Sequence, residues 1–205
     1  MSASSTKSAA ASRRTPTSGA SAHTQLIDAA EQLFYREGVR AVGIDAVVER
    51  AGVNKMSLYR QFSSKDELVL AYIERKNDGY FGRFDRLAAQ WPDDPKAQLL
   101  AYVDELARRT ASPDYRGCPF VNVAVEFPDA AHPARVSVAD NKSELKRRLI
   151  ALATGAGARD PLALADSIAL VIEGVYAASQ TYRADDTPVG RAPQLVRALI
   201  DAACA

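Results

Sequence analysis

Cysteine is nearly missing from this 205-residue chain. Cys118 and Cys204 stand far apart with no Cys-x-x-Cys pair, which offers neither a disulfide framework nor a zinc site. Histidine is as scarce: His23 and His132 have no metal-ligand neighbour at helical spacing, so no metal site is expected. His132, between Ala131 and Pro133, reads as a surface residue at a helix start. No G-x-S-x-G, phosphate loop or dinucleotide fingerprint occurs, and no cofactor is expected. Cys118 has no histidine beside it in sequence and reads as a small buried hydrophobe rather than a nucleophile. The near-absence of net charge, +1 overall, argues against non-specific coating of nucleic acid and leaves room for a local basic footprint. No apolar run reaches the length expected of a membrane span, so no membrane partner is expected. The N-terminal stretch has no apolar segment of the secretory kind, and a cytoplasmic protein is expected. Strand-like alternation is missing too, so the chain reads as all-α.

What is present begins with an arm, residues 1–20, rich in Ser, Ala and Thr and weakly basic through Lys7, Arg13 and Arg14. With nothing apolar to bury it reads as disordered; a sharper reading lays it in a DNA minor groove. From about Ala22 to Glu37, Leu26, Ala29, Ala30, Leu33 and Phe34 form one helical stripe, and Gly38 ends it.

The informative stretch is Gly43 to Phe62. Ile44, Val47, Val48 and Ala51 fall on one face of a short helix. Gly52 is a C-terminal stop, since glycine takes the left-handed conformation without steric cost. Asn54 is placed to cap a second helix through the amide of Ser57. In that second helix Leu58 and Phe62 lie one above the other as anchors, while Met56 and Arg60 point away, flanked by Ser57 and Tyr59. A helix held by two apolar anchors with its other side polar suits a DNA major groove. Arg50, Lys55, Arg60 and Lys65 carry the charge here, with no acid among residues 50–65.

Gly52-Val53, Leu58-Tyr59-Arg60-Gln61-Phe62 and Ser64-Lys65-Asp66-Glu67-Leu68 resemble the helix-turn-helix of the tetracycline-repressor (TetR) family, over about Leu26 to Ile73. The resemblance implies an all-helical, dimeric, one-component repressor with a small-molecule pocket in a divergent C-terminal domain. It also implies that Tyr59 and Lys65 hold the DNA backbone while Met56, Ser57 and Arg60 face base edges. The family often carries Thr or Ser ahead of the first motif helix. This chain has Val42-Gly43, so the Gly43 amide takes that phosphate-contacting place. The candidate DNA-contact set is Gly43, Asn54, Lys55, Met56, Ser57, Tyr59, Arg60 and Lys65.

Ser64 and Glu67 form a capping box for a long helix to about Phe84, which leaves the DNA-binding part as a lever. Helices are then expected from about Pro95 to Thr110, Pro119 to Phe127 and Pro133 to Ala153. Two more are read at 162–182 and 188–203, making about nine in all. The 162–182 helix is apolar on more than one side, the mark of deep core or an interface. With the last helix it is expected to form a homodimer contact, tested by Glu at Leu199. The run Lys142, Lys146, Arg147, Arg148 reads as a solvated helix face. The divisions expected are 1–20 arm, 21–80 DNA-binding domain and 81–205 ligand-binding and dimerisation domain. Candidate pocket residues are Trp91, Tyr102, Cys118, Phe120, Asn122 and Tyr176, bulky apolar walls with a few polar tips. Few charges are expected to face inward there, which favours an apolar or aromatic effector.

The function expected is a ligand-released, dimeric repressor on a palindromic double-stranded DNA operator. Two alternatives stand beside it: a helix-turn-helix activator or architectural protein without an inducer, and an all-helical enzyme with a coincidental basic helical pair.

Overall fold

Three of the nine α-helices begin where a capping side chain meets a first-turn proline. Asp94 accepts from the amide of Ala97 ahead of Pro95, and Asp160 from that of Ala163 ahead of Pro161. Proline costs nothing there, because the first amides of a helix have no carbonyl partner in any case. The computed structural model describes residues 19–204; the arm of residues 1–18 with Lys7, Arg13 and Arg14, and Ala205, lie outside the described residues. Among the described residues the elements are nine α-helices: α1 (Gly19–Glu37), α2 (Ile44–Ala51), α3 (Lys55–Gln61), α4 (Lys65–Ala88), α5 (Pro95–Thr110), α6 (Pro119–Glu126), α7 (Pro133–Gly155), α8 (Pro161–Thr181) and α9 (Ala192–Ala203). There is no strand among them.

The first helix starts at Gly19, ahead of the expected Ala22, and α4 runs a turn past Phe84. The last helix differs more. Pro188 opens a 3-10 turn, Pro188–Arg191, and the α-helix restarts at Ala192. Pro193 explains this: it has no N–H to give the carbonyl of Val189, so it must sit in a first turn. The Ala192 amide bonds the Val189 carbonyl instead.

One continuous apolar core runs from Leu26 in α1 to Ile200 in α9. The lever α4 contributes at both ends. Its Leu68, Val69, Tyr72 and Ile73 lie toward the N-terminal helices, and Tyr80, Phe81 and Phe84 are buried further along. Helix α4 packs on α1, α5 and α7, and α8 packs on α7 and α9. A part-buried amide pair joins α7 to α4, Asn141 Nδ2 donating to Asn77 Oδ1 at 2.7 Å.

The basic run of α7 is not a solvated face. Lys142 pairs with Glu173 at 2.5 Å and Lys146 with Asp166 at 2.7 Å, both on α8. Arg147 takes Glu144 at 2.7 Å, and Arg148 takes Glu144 and Asp85 of α4. Three of these four cations thus fasten α7 to a neighbouring helix, which a linear reading of the run misses. By length and composition α8 is long and apolar enough to cross a membrane, against the expectation from sequence. Its apolar character has a use inside the fold. Leu164, Ile168, Ile172 and Val175 are buried, while Asp166 and Glu173 reach the α7 lysines.

Candidate functional site

Two helices and a tight turn build the first site. Gly52 sits at φ +68° and its amide returns to the carbonyl of Glu49. A side chain in that conformation is strained, which is why the turn needs glycine. Asn54 Oδ1 accepts from the amide of Ser57 at 2.8 Å and from its hydroxyl at 3.0 Å. Leu58 is fully buried, Phe62 nearly so, and His23 of α1 stacks on the Phe62 ring at 5.1 Å. Those anchors turn the rest of α3 outward: Met56 is 65% and Tyr59 52% exposed, and Lys55 and Arg60 are exposed. The Arg60 guanidinium leans along α3 to Met56 Sδ at 3.5 Å.

Several expected contact residues carry a second duty. Asn54 and Ser57 are engaged in the cap just described. Lys55 pairs with Asp45 of α2 at 2.8 Å, an acid outside the acid-free stretch that the turn brings back. Gly43 holds extended backbone at the start of α2, exposed, with no side-chain cap. Ser64 Oγ caps the amide of Glu67 at 3.2 Å, but the Glu67 carboxylate takes the amide of Ser63 at 2.6 Å rather than that of Ser64. Lys65 is half-buried in the first turn of α4. Burial lowers its pKa from the usual lysine value, and the nearby Glu126 carboxylate opposes the shift.

Behind this surface lies a cavity of about 610 Å³ between α1, α4, α5, α6 and α8. Tyr80, Phe120 and Tyr176 wall it, with Cys118 beside them. The Tyr102 hydroxyl donates to Tyr80, Tyr176 reaches Tyr80 at 3.4 Å, and Tyr80 meets Phe120 edge-on at 5.6 Å. Burial pushes the Tyr80 and Tyr176 phenols well up and Tyr102 to about 12. All three are therefore neutral hydroxyls at physiological pH. Burial also raises the Cys118 thiol, which makes it a wall atom rather than a thiolate.

Of the six residues expected in a pocket, Cys118, Phe120 and Tyr176 line this cavity. Tyr102 stands behind the wall as partner of Tyr80. Asn122 donates to the carbonyl of Arg116 at 2.9 Å and fastens the loop before α6. Trp91 is elsewhere, half-exposed in a shallow depression beside Lys96 and Arg197. Its loop turns outward at the end of α4, so its bulk never reaches the interior. The expectation of few inward charges also fails, because Lys76, Arg83, Arg108, Arg109 and Asp114 line the mouth. Part of this was visible beforehand: Lys76, Tyr80 and Arg83 follow i, i+4, i+7 on one face of α4. Tyr35, which comes to the cavity from α1, had no such signal.

The cavity and the helix-turn-helix are tied together by named bonds. Tyr35 of α1 donates its hydroxyl to the carbonyl of Gly117 at 3.0 Å and accepts from the amide of Arg116 at 2.8 Å. Arg36 pairs with Asp114 of the same loop at 3.0 Å. At the far end of α6, the Glu126 carboxylate accepts from the amides of Val39 at 3.1 Å and Arg40 at 2.6 Å. Gly38 makes room for that grip. It sits at φ +94°, and a Cβ there would lie 3.2 Å from Glu126 Oε1. Helix α6 therefore starts on the cavity wall at Phe120 and ends on the loop that leads into α2.

Comparisons with known proteins agree with this arrangement. Residues 26–72 match the model of bacterial regulatory proteins of the tetR family, and residues 95–196 match the tetracyclin repressor-like C-terminal domain. The transcriptional activator FasR of Mycolicibacterium smegmatis is 40% identical over 80 residues, 39% of this chain and 36% of FasR. That match spans little more than a third of the relative's length. The transcriptional regulator AcuR of Cereibacter sphaeroides is 30% identical over 162 residues, 75% of this chain and 74% of AcuR. A crystal structure of a putative TetR-type regulator (sav143) from Streptomyces avermitilis is 31% identical, covers 89% of this chain and 97% of its own, and has a TM-score of 0.78. The chain belongs to the tetR family of bacterial regulatory proteins, which are DNA-binding transcriptional regulators and not enzymes.

Proposed function

We propose that this chain is a repressor that binds a palindromic operator as a two-fold dimer in the cytoplasm and lets go when a small molecule fills the cavity. The observation that carries the reading is α6, with Phe120 on the cavity wall and Glu126 on the amides of Val39 and Arg40. A ligand shifts a two-state balance only by binding the states unequally. One that moves Phe120 also moves the grip on the loop into α2. In this reading residues 21–80 form the DNA-binding domain and 81–205 the ligand-binding and dimerisation domain. A second reading, activation, has support from the relative named an activator, FasR. Transcription from the operator with and without the protein separates the two.

On the DNA, Met56, Ser57 and Arg60 face base edges in this reading. Tyr59, Lys65, Lys55, Asn54 and the Gly43 amide lie toward phosphates. Arg60 is the residue suited to a bidentate contact with guanine, worth about 1–3 kcal/mol of discrimination. Arg60→Ala is expected to flatten sequence preference in a gel shift on DNA upstream of the gene. Lys65→Ala is expected to weaken all sequences alike and reduce the salt slope by about one unit. An unchanged operator preference in Arg60→Ala removes the assignment.

The Glu126 grip has its own test. The carboxylate gives Oε1 to the Val39 amide and Oε2 to the Arg40 amide, whereas glutamine has one acceptor oxygen and can keep only one of these bonds. Glu126→Gln is therefore expected to shrink the change in operator affinity that a releasing compound causes, by a large part of a coupling that is typically about 1–3 kcal/mol. Operator Kd with and without the compound reads it directly, and an undiminished ratio removes α6 as the link.

A further inference from the structure

The charges at the cavity mouth do not balance. Lys76 is paired with Glu31 at 2.7 Å, Arg108 with Glu105 at 2.5 Å, and Asp114 with Arg36 at 3.0 Å. Arg83 and Arg109 remain. Among the described residues no carboxylate lies within 4.0 Å of either. Arg83 is half-buried; burial first, and then the charge of Arg109, push its pKa down, with Tyr102, the more distant Glu105 carboxylate and Tyr176 opposing the shift. Arg109 has the Tyr115 ring under its guanidinium at 6.0 Å. The Tyr115 hydroxyl is itself buried with no hydrogen-bond partner, and Tyr115 lines the same space. Two half-buried guanidiniums and an orphaned hydroxyl around one cavity are a costly arrangement unless something fills it.

We propose that the cavity takes an organic carboxylate with an apolar or aromatic body, the carboxylate held between Arg83 and Arg109 and the body against Phe120, Tyr80 and Tyr176. The inference rests on the reading of this cavity as the effector site and names the class of effector. Guanidinium forks match a carboxylate in two parallel hydrogen bonds. The Tyr115 hydroxyl, kept protonated by burial, supplies a further donor. The floor asks for something other than charge. Phe120 and the rings of Tyr80 and Tyr176 offer no partner to a bare inorganic anion, and they match an apolar chain or ring. The cavity volume of about 610 Å³ leaves space for such a body.

The test is calorimetric titration of the full chain with 2-naphthoate, phenylacetate and octanoate, each against its neutral primary amide, and with inorganic phosphate. At least one carboxylate is expected to bind about 10- to 100-fold tighter than its amide, the worth of one charge-assisted hydrogen bond. Arg83→Gln and Arg109→Gln are each expected to remove that preference and leave amide binding as it was. Arg83→Lys is expected to keep part of it. Both glutamine variants lose a like-charge repulsion, so they should fold; if one does not, the acid-to-amide ratio of the unmodified chain still decides. Equal binding of acid and amide overturns the proposal. So does an unaltered preference in both glutamine variants, phosphate binding as tight as the carboxylates, or no carboxylate binding at all. Operator gel shifts with the same compounds keep the two ideas apart. A preferred carboxylate that leaves operator affinity unchanged upholds the anion site and removes the release mechanism. An amide that releases DNA without such preference does the reverse.

Discussion

Replacing Leu58 by alanine is expected to abolish operator binding. Leu58 is fully buried and, with Phe62, is one of two apolar anchors of a seven-residue helix. A helix that short has no independent stability in water, where about 12–15 residues are marginal. Its position on α1 therefore depends on those anchors. Truncating a buried leucine costs about 2–5 kcal/mol, part lost transfer and part residual cavity. The loss falls on the element whose outer face carries Met56, Tyr59 and Arg60, so the reading surface disperses before the rest of the chain unfolds. Thermal unfolding and a gel shift on the same preparation check both halves. Operator affinity within about threefold of the unmodified chain would be under 1 kcal/mol, and α3 would then not be the reading helix. The comparison variant is Met56→Ala. That side chain is 65% exposed, so its stability change should stay within about 0.5 kcal/mol.

The second large effect concerns the dimer. Leu170→Glu is expected to leave a monomer at micromolar concentration. Leu170 is 73% exposed on α8, and Gly174 and Ala177 continue the same exposed line at i+4 and i+7. Leu195 of α9 stands about half-exposed beside an apolar groove formed with Val171, Val175 and Val189. In the proposed dimer, two copies of this face would meet across a two-fold axis in a four-helix contact. Each leucine buried there contributes about 1.5–3 kcal/mol. Losing one per protomer raises the dimer Kd by about two to four orders of magnitude. The buried, unpaired carboxylates add to that. Light scattering on the variant reads the outcome, and a dimer that survives places the interface elsewhere. Leu199, the position first expected to break the dimer, is unsuited to the test. It is partly buried and packs on the chain's own core, so glutamate there damages folding and association together.

Relations within a few residues were legible in the chain. The Asn54 cap, the Gly52 stop, the Leu58 and Phe62 anchors and the first-turn prolines all follow from bonds or contacts between residues about four apart or fewer. These local relations determine the helices and the motif. The last helix starts four residues after Pro188 for an equally local reason, the missing N–H of Pro193. Relations between distant residues were not legible. Tyr35 reaches the 116–117 loop, Glu126 holds the amides of Val39 and Arg40, and Asp45 returns to Lys55. None of these pairings has a spacing that a helical period would reveal. Trp91 lies outside the cavity and Leu199 packs partly on the chain's own core, because periodicity says which side of a helix is apolar, not what that side meets. The charge of the cavity was hidden for a like reason. Lys76 and Asp114 find partners on α1 only after the helices cross, whereas Arg108 has Glu105 one turn away in its own helix, and Arg83 and Arg109 have no such carboxylate among the described residues. Local hydrogen bonding and hydrophobic period thus determined the elements and their order. The crossing of α1, α4, α5 and α6 decided what the interior can bind, because a cavity is bounded by side chains that only packing brings together.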